Sequence, residues 1–327
     1  MDEFKDKNIL ITGGLGFIGS NIAHSCVKLG AKVTIYDCLD PKSGGNMTNI
    51  KGIDDDVEIV LNDIRHFDGI CSCIRKKDII FHCAAYTSHK NSMNEPILDI
   101  EVNCKGTINL LDAMKRFNKE SKLVHIGTST QIGKMNKSPV DELHSEFPID
   151  IYSANKSVSE KYVLIYCSAY GMRTCVIRLA NTYGPRSNIK SSDFGFINFF
   201  VGLALKNKEL TVFGEGKQLR NVNFVNDVVD VLIKSSLEER TNGKTFFAVG
   251  DKQLSVLQIA EGIVNNIGGK IVSIPWPKNY EAIDIGDAVI SNAKIKSVFG
   301  SMQLTSFESG LALTKEYFVP CLKNYLE

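Results

Sequence analysis

Apolar residues in the first half of the chain fall into short blocks separated by glycine turns and by longer stretches of a different period. The blocks at Lys7–Thr12, Lys32–Tyr36, Val57–Leu61, Asp78–Cys83, Leu123–Gly127 and Arg173–Leu179 have the length and content of strands. The stretches ending near Leu29 and spanning Pro96–Phe117 and Tyr152–Tyr170 carry apolar residues at helical spacing. Strand and helix in alternation predict an α/β fold, a doubly wound parallel sheet with helices on both faces.

After Gly184-Pro185 the rhythm becomes irregular, with Pro and Gly punctuation around Phe194–Gly216 and Ile274–Gly286. Short strands are expected at Thr211–Phe213 and Lys270–Ile274, and helices near Asp227–Leu237 and Val256–Ile267. The expected organisation is a nucleotide-side domain over residues 1–185 and a smaller C-terminal α/β substrate domain over 186–327. The chain is expected to return to the first sheet around Val222–Val225 and Thr245–Val249.

Composition narrows the function classes. With 43% hydrophobic and 23% charged residues the chain has ample material for a core. A net charge of +1 supplies no field for nucleic acid or a membrane surface. No apolar run approaches the roughly 20 residues of a membrane span. The charged start Met1-Asp2-Glu3-Phe4-Lys5 lacks a signal core, so a cytoplasmic location is expected. The cysteine count, nine, is odd, and the residues are scattered without His/Cys partner spacing, which gives no reason to expect a metal.

Thr12-Gly13-Gly14-Leu15-Gly16-Phe17-Ile18-Gly19 follows the first strand and opens a helix. Gly13, Gly16 and Gly19 fit a turn whose backbone approaches a pyrophosphate at a helix N-terminus, as in Rossmann dinucleotide sites. Asp37 ends the second strand 18 residues after Gly19. A carboxylate there suits ribose hydroxyls and repels a 2′-phosphate, which favours NAD over NADP. Asp63-Ile64, closing the third strand, is a candidate for the adenine end.

Tyr152-Ser153-Ala154-Asn155-Lys156 sets a phenol and an ammonium one helical turn apart. An isolated Tyr-x-x-x-Lys is common on amphipathic helices; its weight here comes from following the fifth strand of a dinucleotide-type chain. A free phenol, with a pKa of about 10, is a poor base at neutral pH. A nearby ammonium and a cationic nicotinamide favour the phenolate, which would take a hydroxyl proton as hydride leaves the same carbon. Lys156 would also hold the nicotinamide ribose.

From about Asn8 to the C-terminal helix the chain resembles the extended short-chain dehydrogenases/reductases, within them the NAD-dependent nucleotide-sugar epimerase/dehydratase group. The resemblance rests on the glycine turn, Phe81-His82-Cys83-Ala84-Ala85, Asn103-Cys104-Lys105-Gly106-Thr107 and Tyr152 with Lys156. It continues through Arg178-Leu179-Ala180-Asn181-Thr182-Tyr183-Gly184-Pro185-Arg186, Arg220-Asn221 and Phe224-Val225-Asn226-Asp227. It implies that Gly13, Gly16, Phe17, Ile18, Gly19, Asp37, Asp63, Ile64, Ala84, Ala85 and Asn103 hold NAD together with Tyr152 and Lys156. It also implies that Thr128, Ser129, Thr130, Asn181, Arg186 and Arg220 meet a nucleotide-diphosphate sugar. Thr128 matches the family's hydroxyl residue beside the reacting oxygen.

The positions after Thr128 distinguish the family's reactions. The 4,6-dehydratases carry Asp-Glu there and decarboxylating relatives Ser-Glu, whereas this chain has Ser129-Thr130, similar to 4-epimerases. Gly127 replaces a usual Ser and Ile132 a usual Tyr. The family's diphosphate-clasping Arg-x-Gly-Asp reads Asp284-Ile285-Gly286-Asp287. The leading expectation is a nucleotide-sugar 4-epimerase working through a 4-keto sugar. A C4 oxidase recycling its NADH, a 4,6-dehydratase and, more remotely, a non-catalytic NAD sensor stand as alternatives. The resemblance also implies a homodimer through helices around Asn103–Phe117 and Ser153–Tyr170. Leu110, Leu111, Met114, Val158, Tyr162 and Ile165 are the apolar residues there, equally suited to packing on the sheet.

Overall fold

The computed structural model describes residues 2–277 and 285–326. Six of the apolar blocks become β1 (Asn8–Thr12), β2 (Lys32–Asp37), β3 (Val57–Leu61), β4 (Ile79–His82), β5 (Lys122–Thr128) and β6 (Thr174–Leu179). With Lys244–Ala248 they form a seven-stranded sheet ordered Lys244–Ala248, β6, β5, β4, β1, β2, β3. Every pairing is parallel. Ile9, Leu10 and Ile11 of β1 are fully buried. Ile9 and Ile11 belong to one core cluster and Leu10 to another. Burial on both faces is why this strand reads as an unbroken apolar run.

The sheet winds outward from β1 in both directions, so a crevice opens between the carboxyl ends of β1 and β4, where ligands of such sheets bind. Lys244–Ala248 is the expected return strand. The other expected return, Val222–Val225, behaves differently: Asn223–Phe224 pairs with Thr182–Tyr183 in a separate two-stranded ribbon. Glu209–Phe213 and Lys270–Ile274 pair in parallel as a further ribbon.

The expected single helix over Pro96–Phe117 is three pieces: helical Pro96–Asp99, a wider π turn at Ile100–Lys105, and helical Gly106–Phe117. Asn103 lies in the wide turn. Its side chain accepts from the Tyr86 N–H at 3.1 Å and donates to the Tyr86 carbonyl at 3.0 Å and to Asp99 at 2.8 Å. Leu110, Leu111 and Met114 are fully buried against the sheet, whereas Val158 and Ile165 are exposed.

Behind β6, buried Arg178 donates to both oxygens of Glu160, at 2.7 and 2.8 Å, and to Glu146. Glu160 also accepts from Gln131 at 2.8 Å and from Thr245 at 2.9 Å. The network joins the Ile151–Tyr170 helix to the turn Ser129–Ile132 that follows β5. All nine cysteines are free thiols. Among the described residues no helix is long and apolar enough to cross a membrane.

Candidate active site

The glycine turn is shaped by contacts that exclude side chains. Gly13 has φ +69°, and a Cβ there would lie 2.6 Å from the Ala84 amide nitrogen. A Cβ on Gly19 would lie 2.3 Å from the Gly13 carbonyl oxygen. The turn thus packs β1, the loop after β4 and the helix α1 (Phe17–Lys28) as bare backbone. Gly16 caps α1 without any side-chain hydrogen bond, leaving the helix N-terminus open to an anion. Gly19→Ala is therefore expected to destabilise the fold by about 2 kcal/mol and to strip dinucleotide from the purified protein. Chemical denaturation and the nucleotide content of the purified variant check this; a variant of wild-type stability that keeps its dinucleotide would contradict it.

A cavity of ≈ 560 Å³ runs from this turn along the carboxyl ends of the strands, within the usual range of about 300–1,000 Å³ for small-molecule sites. Its wall includes Gly13, Gly16, Phe17, Ile18 and Gly19, then Asp37, Asp63, Ile64, Ala84 and Ala85, and at the far end Thr128, Thr130, Tyr152, Lys156 and Asn181. Asp37 is anchored by the N–H groups of Leu15 at 3.0 Å and Leu39 at 2.9 Å. Burial raises its pKa, and those backbone donors oppose the rise. Asp63 is paired with Arg65 at 2.7 Å. These residues fit a dinucleotide: a side-chain-free cradle at an open helix N-terminus and, farther along, a carboxylate at the end of β2.

Four residues of the sequence expectation lie off this wall. Asn103 instead holds the Tyr86 backbone. Ser129 follows Thr128 into the turn after β5. Arg186, with φ +70°, donates to Asn21 at 2.9 Å and lies over the Tyr317 ring. Arg220 donates to the carbonyls of Leu219 at 2.8 Å and Gly286 at 2.6 Å. Asp284, the position of the family's second arginine, is outside the described residues.

At the far end the fold brings three helix and strand termini together. Tyr152 and Lys156 sit in the first turns of the Ile151–Tyr170 helix, whose N-cap is Asp150. Thr128 ends β5 on the same wall as Tyr152, and its side chain lowers the Tyr152 pKa against the larger effect of burial. The Lys156 ammonium donates to the Ile126 carbonyl at 2.7 Å and lies 3.4 Å from His125 Nε2. The β4–β5 register sets His82 opposite His125 beneath it. Both imidazoles have depressed pKa values because burial and then Lys156 disfavour their charged forms.

The electrostatics differ from the sequence expectation in one respect. The Tyr152 pKa is pushed up, chiefly by burial and then by Asp99, with Thr128 opposing. The ammonium expected to acidify it is spent on the Ile126 carbonyl. Burial lowers Lys156 itself to about 8. A lysine with a folded pKa near 8 and an unfolded value near 10.5 binds fewer protons folded than unfolded between those values. Its charged form is a cost below about pH 8, relieved as pH rises towards 10.5. Relative to Lys156→Met, the wild-type apoprotein is expected to gain on the order of 3 kcal/mol across that window. Denaturant titrations of both proteins at its two ends measure it; a gain of the opposite sign would contradict the burial argument.

Sequence reasoning did not find His89. It opens the short helix His89–Asn94, lines the cavity, and meets Tyr152 edge-on with ring centroids 4.9 Å apart. Its Nδ1 is 2.8 Å from Asp150. The two lie 61 positions apart, so no local pattern announces the pair. The segments Ser43–Gly45 and Ser192–Ile197 also line the cavity and carry no sequence motif.

Comparison with known proteins matches residues 9–250 to the NAD dependent epimerase/dehydratase family. A putative UDP-glucose 4-epimerase of Methanocaldococcus jannaschii is 33% identical over 80% of this chain and 82% of its own. A UDP-N-acetyl-alpha-D-glucosaminuronate decarboxylase of Bacillus cytotoxicus is 29% identical over 95% of this chain and 98% of its own. The crystal structure of UDP-glucose 4-epimerase with UDP-glucose from Thermotoga maritima superposes with a TM-score of 0.86 at 27% identity, covering 96% of this chain and 99% of that one.

Proposed function

The chain belongs to the NAD-dependent epimerase/dehydratase family, it is an NAD-dependent enzyme, and on that premise we propose that it is a nucleotide-sugar 4-epimerase. NAD, when bound, supplies the acceptor and later the donor of the C4 hydride. Tyr152 takes the proton of the sugar 4-hydroxyl, and Thr128 fixes that hydroxyl beside the phenol. Lys156 would hold the nicotinamide ribose, and it offsets the charge of a phenolate only by leaving the Ile126 carbonyl. Gly13, Gly16, Gly19, Asp37, Asp63 and Ala84 would hold the cofactor. Asn181 receives the sugar or its diphosphate. Arg220 reaches the diphosphate only by exchanging its carbonyl partners. The division at residue 185, with Lys244–Ala248 returning to the first part, separates the NAD side from the sugar side.

One observation carries the choice of reaction. Thr128 and Tyr152 share the cavity wall, and no carboxylate follows Thr128. Thr130 occupies its own hydroxyl with Thr128 and Ser153, each at 3.0 Å. Removing water across C5–C6 needs an acid and a base that this segment does not supply. A C4 oxidase uses the same hydride step and differs only in releasing the ketone. The exposed Val158 and Ile165 support a homodimer through the helices around Asn103–Phe117 and Ser153–Tyr170.

The test is to incubate NAD-loaded enzyme with uridine, thymidine, cytidine and guanosine diphosphate sugars and follow the products by mass and proton NMR. An isomer of unchanged mass inverted at C4 is expected. A product lighter by two hydrogens identifies an oxidase, and one lighter by water contradicts the reading of Ser129-Thr130.

A further inference from the structure

Two buried histidines lie beneath Lys156, and their hydrogen bonds differ. His82 closes β4 and His125 stands opposite it in β5, with ring centroids 5.2 Å apart. Thr107 gives its hydroxyl proton to the Asn103 carbonyl at 2.7 Å. The His82 Nε2–H therefore donates to Thr107 at 3.1 Å, and its Nδ1 accepts from Thr12 at 2.7 Å. Both nitrogens of His82 are thus satisfied by neighbours that tie the sheet to the Gly106–Phe117 helix. His125 is different. Its Nδ1 is buried without a hydrogen-bond partner. Its Nε2 lies 3.4 Å from the Lys156 ammonium and 3.5 Å from Ser159 Oγ. Ser159 gives its proton to the Lys156 carbonyl at 3.0 Å and has none for the ring. An ammonium has donors only, so Nε2 is the acceptor and the ring proton sits on Nδ1. A histidine kept for packing alone is expected to satisfy both nitrogens, as His82 does.

We propose that His125 is a positioning residue for Lys156, its unprotonated Nε2 accepting one ammonium N–H so that the charged side chain is held at the cavity wall. The inference rests on the reading of Lys156 as the group that would hold the nicotinamide ribose. An ammonium carries three donors. The Ile126 carbonyl takes one at 2.7 Å and His125 a second. The third is left for the cavity, whose wall includes Lys156. A carboxylate in the place of His125 would cancel the charge. A neutral imidazole instead favours the protonated lysine and leaves its charge in place. That support matters because Lys156 is 4% exposed and burial pulls its pKa down to about 8. Burial and the ammonium itself hold the His125 pKa low, so the ring stays an acceptor. The other titratable groups around the ammonium are Tyr152 and Glu160 on its own helix, His82 and Cys83 at the end of β4, and Asp99 and Cys104 in the segment 96–105. Cys83, Glu160, Asp99 and Cys104 favour its charged form. Among the described residues, His125 and the Ile126 carbonyl are its hydrogen-bond partners.

The experiment measures NAD affinity by titration calorimetry across the lysine's titration range, on the full chain freed of bound dinucleotide, with denaturant titrations as the check of folding. In the wild type affinity is expected to fall as Lys156 loses its proton, at about pH 8. His125→Phe keeps a ring in place and removes the acceptor. It should move that fall about one pH unit lower, a tenfold change in the lysine's hold on its proton. His125→Gln offers a carbonyl oxygen as acceptor and should return the fall towards its wild-type position. His125→Leu, which also lacks an acceptor, carries the same expectation as His125→Phe should the latter not fold. A fall at the same pH in the wild type and in the variants without an acceptor overturns the positioning role, even where NAD binds more weakly at every pH, which is all that a structural histidine would give. A His125→Gln protein that behaves as His125→Phe does so too. Lys156→Met tests the underlying reading separately: it should bind NAD weakly and show no fall. If it binds NAD as the wild type does, with the fall intact, the reading of Lys156 itself fails, a result distinct from an unmoved fall in His125→Phe.

Discussion

Tyr152→Phe is expected to slow nicotinamide reduction by nucleotide sugar about a thousandfold, within the usual span for loss of a general base. The substitution removes one oxygen from a residue packed against Thr128 and His89 and leaves the ring in place. Losing one hydroxyl costs about 1 kcal/mol, so the variant should fold and keep its NAD. Rapid-mixing absorbance gives the rate, and denaturation and nucleotide content give the controls. A folded, NAD-loaded variant reacting at the wild-type rate would mean that another group takes the proton, and would revive the sensor reading if the wild type itself proved inert.

Arg178→Met carries the largest expected effect on stability. Arg178 is 3% exposed and is the cation shared by Glu146 and Glu160. Methionine fills much of the volume but leaves Glu160 buried with only the neutral donors Gln131 and Thr245. Removing one partner of a buried ion pair costs about 3–5 kcal/mol, most of it the unpaired charge. Because Gln131 belongs to the turn after Thr128, the site should loosen with the core. Denaturant midpoints at neutral pH measure the loss. A variant within about 1 kcal/mol of wild type would mean that water or a rearranged Lys161 replaces the guanidinium.

The parts of this molecule that sequence makes legible are those dictated by local backbone and periodicity. A buried parallel strand such as Ile9–Ile11 must be apolar on both faces, and a turn pressed against Ala84 must be glycine, so β1 and the glycine turn announce themselves. Tyr152 and Lys156 are visible because helical spacing alone brings them together. What was not legible depends on contacts between distant segments. Val222–Val225 looks like any return strand, but Phe224 packs on Tyr183 at 5.6 Å between ring centroids, and its strand pairs away from the central sheet. Arg186 and Arg220 look like phosphate ligands by type, yet Asn21 and the Leu219 and Gly286 carbonyls hold them elsewhere. His89 carries no motif; it matters only because the loop after β4 delivers it to the cap of the Tyr152 helix. Similarly, no pattern in the sequence reveals that the Ile126 carbonyl, rather than the phenol, receives the Lys156 ammonium.

In the proposed epimerisation the hydrogen on the sugar's reacting carbon leaves as hydride to NAD and returns to the same carbon. A nucleotide sugar deuterated at C4 follows that hydrogen into the isomer formed. Deuterium retained at C4 of the inverted product, with a primary isotope effect on nicotinamide reduction, is the predicted result. Deuterium lost to water from C4, or an isomer inverted only at another carbon, would contradict it.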